Sequence, residues 1–119
     1  MNAKELQERL SDYAVTIIAI VNTMPKSKAA SHMAGQILRS GTSPALNYAE
    51  AQSAESKRDF VHKIKVVLKE LRESYVCLGI IKKAKLYKDL KLLNQSIEET
   101  NELVSIFVAS TKTAERLVK

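Results

Sequence analysis

The sequence predicts an all-α protein, an up-down four-helix bundle with long antiparallel helices, and two observations carry that expectation. Only three Gly and two Pro interrupt 119 residues rich in Ala, Leu, Lys, Glu and Ile, so composition favours helix throughout. Apolar residues recur at steps of three and four in four successive stretches, the pattern of helices that bury one face against each other. Chains near this length hide roughly two-thirds of their unfolded surface, which suits a single domain over residues 1–119 and leaves no room for a second.

The first helix is expected from Asn2 to about Thr23, with Leu6, Leu10, Tyr13, Ile17 and Val21 as its stripe. Met24-Pro25 stops it, because the residue before a proline is pushed out of the helical region. Ser27 can cap a second helix through Ala29, Ala30, Met33 and Ile37, whose small residues allow a neighbour to come close. Gly41-Thr42-Ser43-Pro44 is either a loop or a kink. Pro44 fits the first position of a renewed turn capped by Ser43, so a kinked continuous helix is the expectation.

Ser56, with Asp59 three residues on, opens a third helix that runs to about Lys83 on the stripe Phe60, Ile64, Val67, Leu68, Leu71, Tyr75 and Leu78. Leu86, Leu90, Leu93, Ile97, Val104, Phe107 and Val108 make a fourth stripe that extends toward Leu117. Asp89 lies near its start and Lys112, Arg116 and Lys119 near its end, as the helix dipole prefers.

A polar row stands beside these stripes. Gln36, Arg39, Ser43, Asn47 and Glu50 fall on one side of the second helix and require hydrogen-bonding partners. Arg39, Ser40, Gly41, Thr42, Ser43, Asn47, Glu50, Ala54, Ser56, Asp59, Phe60, Lys63, Leu68, Lys69 and Glu70 occur in the order of a known family, without gaps. In these residues the chain resembles the small bacterial four-helix-bundle proteins encoded in intervening sequences of 23S ribosomal RNA genes, whose distant relatives accompany diversity-generating retroelements. The resemblance covers nearly the whole chain and departs at Ala51, where many relatives have Gly, and at Cys77, where many have Trp near Leu78. It implies a second helix that carries the Arg, Ser and Asn row across the bundle centre. It also implies assembly into a five-fold ring, a homopentamer, and, through the retroelement relatives, a protein partner such as a reverse transcriptase.

The net charge of +6 is unevenly distributed. Between Lys57 and Lys91 eleven cationic residues stand against four acidic ones, a surplus of +7, and everything else sums to −1. On a helical wheel Arg58, Lys65, Lys69 and Arg72 lie within about a 60° arc of the third helix, turned away from Phe60 and Ile64. Lys65 and Lys69 are an i,i+4 like-charge pair that calls for a counter-charge. With Lys82, Lys83 and Lys85 at the end of the helix, these residues form a candidate surface for RNA or DNA. Glu98, Glu99 and Glu102, or Glu5 and Glu8, are the alternative source of counter-charge, and a merely solvated lysine face is the third reading. Tyr48, Tyr75 and Tyr87 lie near this region as stacking residues, but no recognition motif accompanies them, so contact with the nucleic-acid backbone is expected to dominate.

Catalysis is not expected. Arg39, Asn47, Glu50, Lys63, Glu70 and Glu73 include the residue types of an active site, yet a di-iron bundle needs Glu-x-x-His pairs, and neither His32 nor His62 lies three residues after a Glu. Phosphate-binding glycine loops, Ser-His-Asp sets and cysteine clusters are missing from the sequence. No catalytic residue, metal or cofactor is therefore assigned. Arg39, Ser43, Asn47, Glu50 and Glu70 read instead as a structural polar network, with Arg39 partnered by Glu50.

Cys77 stands alone, no apolar run approaches the ~20 residues that span a bilayer, and the charged start lacks a signal-peptide core. A cytoplasmic protein that does not enter a membrane is the expectation. Ile18, Val66, Val76 and Ile80 add apolar surface outside the main stripes and point to self-association. The chain thus reads as a non-enzymatic self-assembling bundle that presents a basic face to nucleic acid, or alternatively as an oligomeric scaffold for a protein partner.

Overall fold

The computed structural model describes residues 1–118. Four helices, α1 (Ala3–Asn22), α2 (Lys28–Gln52), α3 (Lys57–Lys83) and α4 (Leu90–Arg116), are joined by short turns. Each begins on a side-chain oxygen that accepts a backbone N–H left over by the first turn. Ser27, Ser56 and Asp89 accept from Ala30, Asp59 and Leu92 at 3.2, 3.0 and 3.1 Å. Asn2 does more, because its Oδ1 accepts from the Glu5 N–H at 2.8 Å while Glu5 reaches back to the Asn2 N–H at 3.1 Å, a reciprocal capping box.

α2 packs on α3, α3 on α4 and α1 on α2, with a smaller contact between α1 and α4. Pairs across α2 and α3 run in reverse order: Met33 meets Cys77, Ser40 meets Ser74, and Glu50 meets Lys63, so these helices are antiparallel. The result is an all-α four-helix bundle 47 Å long and 23 by 21 Å across, a few ångströms longer than the roughly 38–41 Å of a single helix of 25 to 27 residues.

α2 continues unbroken through Pro44. Proline removes the rung to Ser40, but Ser40, Gly41, Pro44 and Ala45 are all buried, and packing on both sides holds the segment helical. Gly41 sets how closely α1 approaches. A Cβ there would stand 2.8 Å from Cγ1 and 2.9 Å from Cγ2 of the fully buried Ile17, so only glycine admits this contact.

The core departs from the expected stripes most on α3 and α4; on α1 Ile20 rather than Val21 is fully buried, and on α2 Ala29 is exposed and Met33 half-buried. On α3 Tyr75 is 44% exposed and Phe60 half-buried, while Val61, Ser74, Cys77 and Ile81 turn inward beside Ile64, Val67, Leu68, Leu71 and Leu78. The reason is that α3 packs against both α2 and α4, which widens its buried sector and rotates it away from Tyr75. On α4 Leu90 and Leu117 are exposed at the helix ends, where no neighbour covers them. Leu86, Ile97, Val104 and Val108 are half-buried, and Ser96, Thr100 and Thr111 take inward positions alongside Leu93, Leu103 and Phe107.

Candidate nucleic-acid interface

The polar row of α2 finds its partners on α3. Nη1 of Arg39 donates to both carboxylate oxygens of Glu70, at 3.2 and 2.9 Å, and Nη2 donates to Glu73. Glu70 is buried, whereas half of the Arg39 side chain meets solvent. The expected pairing of Arg39 with Glu50 does not form. Eleven residues separate them on one helix, about 16 Å along the axis, and Glu50 instead accepts from Nζ of Lys63 at 3.0 Å. Asn47 stays within α2, donating to the carbonyl and the hydroxyl of Ser43 at 3.1 and 2.8 Å. The single network anticipated from Arg39, Ser43, Asn47, Glu50 and Glu70 is therefore three separate groups.

Arg58, Lys65, Lys69 and Arg72 are all exposed along the outer side of α3, and Lys82, Lys83 and Lys85 are exposed at its end. Lys65 has a counter-charge, Glu115 of α4 at 3.0 Å, with both side chains about half exposed. That partner is none of the acids the sequence suggested: Glu99 and Glu102 are engaged by Arg9 of α1 at 2.7 and 3.5 Å, and neither Glu98 nor Glu5 nor Glu8 reaches a cation within 4 Å among the described residues. Among the described residues Arg58, Lys69, Arg72, Lys82, Lys83 and Lys85 make no ion pair. The exposed face also changes character along its length, since Val76 (60% exposed) continues the line of Lys69 and Arg72, with Ile80 beside it.

Burial separates the three tyrosines near this surface. Tyr48 lies edge-on to Phe107 inside the core, with ring centroids 5.6 Å apart, and Tyr87 is buried with its hydroxyl 2.6 Å from that of Thr23. Tyr75 alone is exposed. It borders an open groove of about 770 Å³ whose floor is Val76, Gly79 and Ile80 with Ile97 of α4, and whose rim is Lys82, Lys83 and Lys85.

The turn after α3 orients part of that rim. The Leu86 N–H donates to the Ile81 carbonyl at 3.0 Å and the Lys85 N–H to the Lys82 carbonyl at 3.1 Å, the paired bonds of a Schellman ending. That ending requires a left-handed residue, usually glycine, and here it is Lys85 at φ 56°. A lysine accepts this conformation at a cost in stability.

Burial pushes the Cys77 thiol up from its ordinary value, against a smaller lowering by Arg39, which keeps it protonated and unreactive. Burial likewise raises Tyr48, and pushes Tyr13 up to about 12 despite the hydrogen bond to Thr100. Hydrogen bonding to Glu99 raises Arg9, which stays charged. His32 and His62 are exposed on α2 and α3. Among the described residues no group of His, Cys, Asp and Glu is arranged to hold a metal ion, and no helix is long and apolar enough to cross a membrane.

Comparison with known proteins agrees with the fold. Residues 4–109 match the family described as 23S rRNA-intervening sequence protein. A solved structure from Bacteroides thetaiotaomicron, a protein of unknown function from the S23 ribosomal protein family, superposes with a TM-score of 0.84 at 25% identity, covering 94% of this chain and 99% of that one. Comparison with curated proteins yields no match.

Proposed function

This chain belongs to the 23S rRNA-intervening sequence protein family, and from that premise we propose that it is a non-enzymatic, cytoplasmic, self-assembling bundle that binds RNA or other nucleic acid non-specifically through the basic face of α3 and the turn after it. The observation that carries the proposal is the absence of counter-charges among the described residues for Arg58, Lys69, Arg72, Lys82, Lys83 and Lys85. Cations that the bundle does not neutralise attract a polyanion and release its counterions on binding. The family description includes the words 23S rRNA, which makes RNA the polyanion to test first.

Self-association, proposed as a homopentamer, is supported by the exposed apolar side chains Val15, Ile18 and Leu46 of α1 and α2, which lie outside the groove beside Tyr75. Light scattering tests it, and a mass of 13.3 kDa at all concentrations would refute it. The rival reading, a scaffold for an acidic protein partner, draws on the adjacency of Val76 and Ile80 to Lys69 and Arg72.

Salt dependence separates the two. Fluorescence anisotropy with a labelled RNA is expected to give an affinity that falls steeply with salt. Changing Lys65, Lys69 and Arg72 together to Gln should lower the logarithmic slope by about 0.7–0.9 for each phosphate no longer neutralised. Lys65 should contribute least to that change, because Glu115 already occupies it. Absence of binding at low salt, or an unchanged slope in the folded variant, would leave the scaffold reading.

A further inference from the structure

We propose that the groove at the C-terminal end of α3 seats an unpaired base of single-stranded RNA, stacked on Tyr75, with Lys82, Lys83 and Lys85 on the flanking phosphates. The inference rests on the nucleic-acid reading above and narrows it from any polyanion to single strands.

Three features of the groove have no account within the bundle itself. The first is Tyr75, the only exposed Phe or Tyr among the described residues. An aromatic ring in water gains by covering its face, and a base supplies a flat partner of any sequence. The second is Gly79. Glycine inside a helix costs stability relative to alanine, and close packing explains it at Gly41, but a Cβ at Gly79 would meet nothing within 4 Å. The space that Cβ would fill opens onto the groove, so glycine keeps the floor clear there; Gly35 of α2 is equally uncrowded, and it is the position of Gly79 in the groove that matters. The third is Lys85, held left-handed where glycine would relieve the backbone. Strain of this kind persists where the side chain has a use, and here the side chain adds a third cation to the rim.

Charge complementarity decides the occupant. Lys82, Lys83 and Lys85 lack counter-charges among the described residues, so the occupant is anionic. The floor is apolar and bordered by a ring, so the part that enters is flat and uncharged. A nucleotide joins these two properties in one unit. The groove's volume of about 770 Å³ lies within the range of pockets that hold such ligands. A duplex cannot use it without unstacking, because its base faces are covered by their neighbours. Single strands should therefore reach the groove, while duplexes should touch only the basic face around Lys69 and Arg72.

The test measures anisotropy with a fluorescein-labelled 12-nucleotide RNA of mixed sequence, single-stranded and as a duplex with its complement, at one salt concentration. The parent should prefer the single strand. Tyr75→Ala should lose single-strand affinity on the order of ten-fold and leave duplex affinity unchanged, whereas Tyr75→Phe should keep both. Gly79→Leu, which fills the floor, should lower single-strand affinity. Lys85→Gly should weaken binding and yet raise the melting temperature, a combination that a purely structural lysine would not give.

If Tyr75→Ala and Gly79→Leu bind both RNAs as the parent does while the Lys69 and Arg72 changes still weaken binding, the groove assignment is overturned and the basic face stands. Failure of the parent to bind either RNA at low salt would overturn both. A change in assembly mass with Tyr75→Ala, with RNA affinity unaltered, would make the groove an interface between chains and also overturn the assignment.

Discussion

Polar groups inside the bundle and cations on its outside follow opposite rules. Inside, Ser40 meets Ser74 at 2.9 Å, Tyr13 meets Thr100 at 2.7 Å, and the buried carboxylate of Glu70 takes two hydrogen bonds from Arg39. Only the Thr111 hydroxyl, among the described residues, is buried without a partner. Outside, among the described residues, eight cations of α3 and its following turn stand without an ion pair: Lys57, Arg58, Lys69, Arg72, Lys82, Lys83, Lys85 and Lys88. Leaving a buried polar group unpaired costs about 1–3 kcal/mol, so, Thr111 apart, the described interior retains polar side chains where geometry supplies a match. Water and salt screen the outer cations, which carry no such penalty and add little to stability by pairing. Interior polarity in this protein therefore contributes to helix register, and exterior charge does not.

The contrast can be broken most sharply at Gly41, beside the Ser40–Ser74 pair. Gly41→Val drives a branched side chain into Ile17 and should destabilise the fold by about 3 kcal/mol, read from urea midpoints. A near-neutral result would mean that α1 and α2 pack loosely and that the interior does not dictate geometry as claimed.

Alkaline titration sharpens the interior half. Tyr13 holds its proton to about pH 12 in the folded protein, against about 10 for an unfolded tyrosine. Between these values the unfolded chain binds fewer protons than the folded one, so unfolding becomes easier as pH rises. Stability should fall by about 1.4 kcal/mol per pH unit across that window, and be fully retained below it. Tyr13→Phe should remove that portion of the pH dependence at a modest cost from the missing Thr100 bond. A parent and variant with the same alkaline slope would assign the loss to other groups.

The smallest effects compare two ion pairs. Arg39→Ala leaves the buried Glu70 without its donor and should cost about 1–2 kcal/mol, well below the value for a fully buried pair because Arg39 is half exposed. Lys65→Gln removes the Glu115 pair, in which both side chains are about half exposed, and should cost about 0.5 kcal/mol or less. Equal thermal midpoints for the two variants would erase the distinction between inner and outer polarity.

Much of this architecture is legible in the chain. Ser27 and Ser56 mark two helix starts because an N-cap is a local bond between residues three apart. The continuity of α2 through Pro44 is the sequence expectation, but Ser43 caps no renewed turn, since its hydroxyl accepts from Asn47, and packing around Pro44 holds the helix. The site is less legible. Arg39 and Glu50 share a helix face, and the wheel that groups them says nothing of axial distance, so the pairing it suggests is absent. Glu115 is not among the acids that sequence pattern offers Lys65, because which turn of α4 lies beside which turn of α3 depends on helix packing rather than local pattern. Spacing from Leu71 and Leu78 puts Tyr75 on the core stripe, and the rotation of α3 between two neighbours turns it outward.

The chain alone determines the helix class, the bounds of α1 and α3, the start of α2 and the concentration of positive charge between Lys57 and Lys91. Those properties depend on residues within one or two turns of each other, or on counting alone. Tertiary structure decided which charges are neutralised, which of three tyrosines stays in contact with solvent and which glycine is packed. Each of these depends on the distance between atoms far apart in the chain, and helical periodicity specifies direction around an axis without specifying what lies across from it.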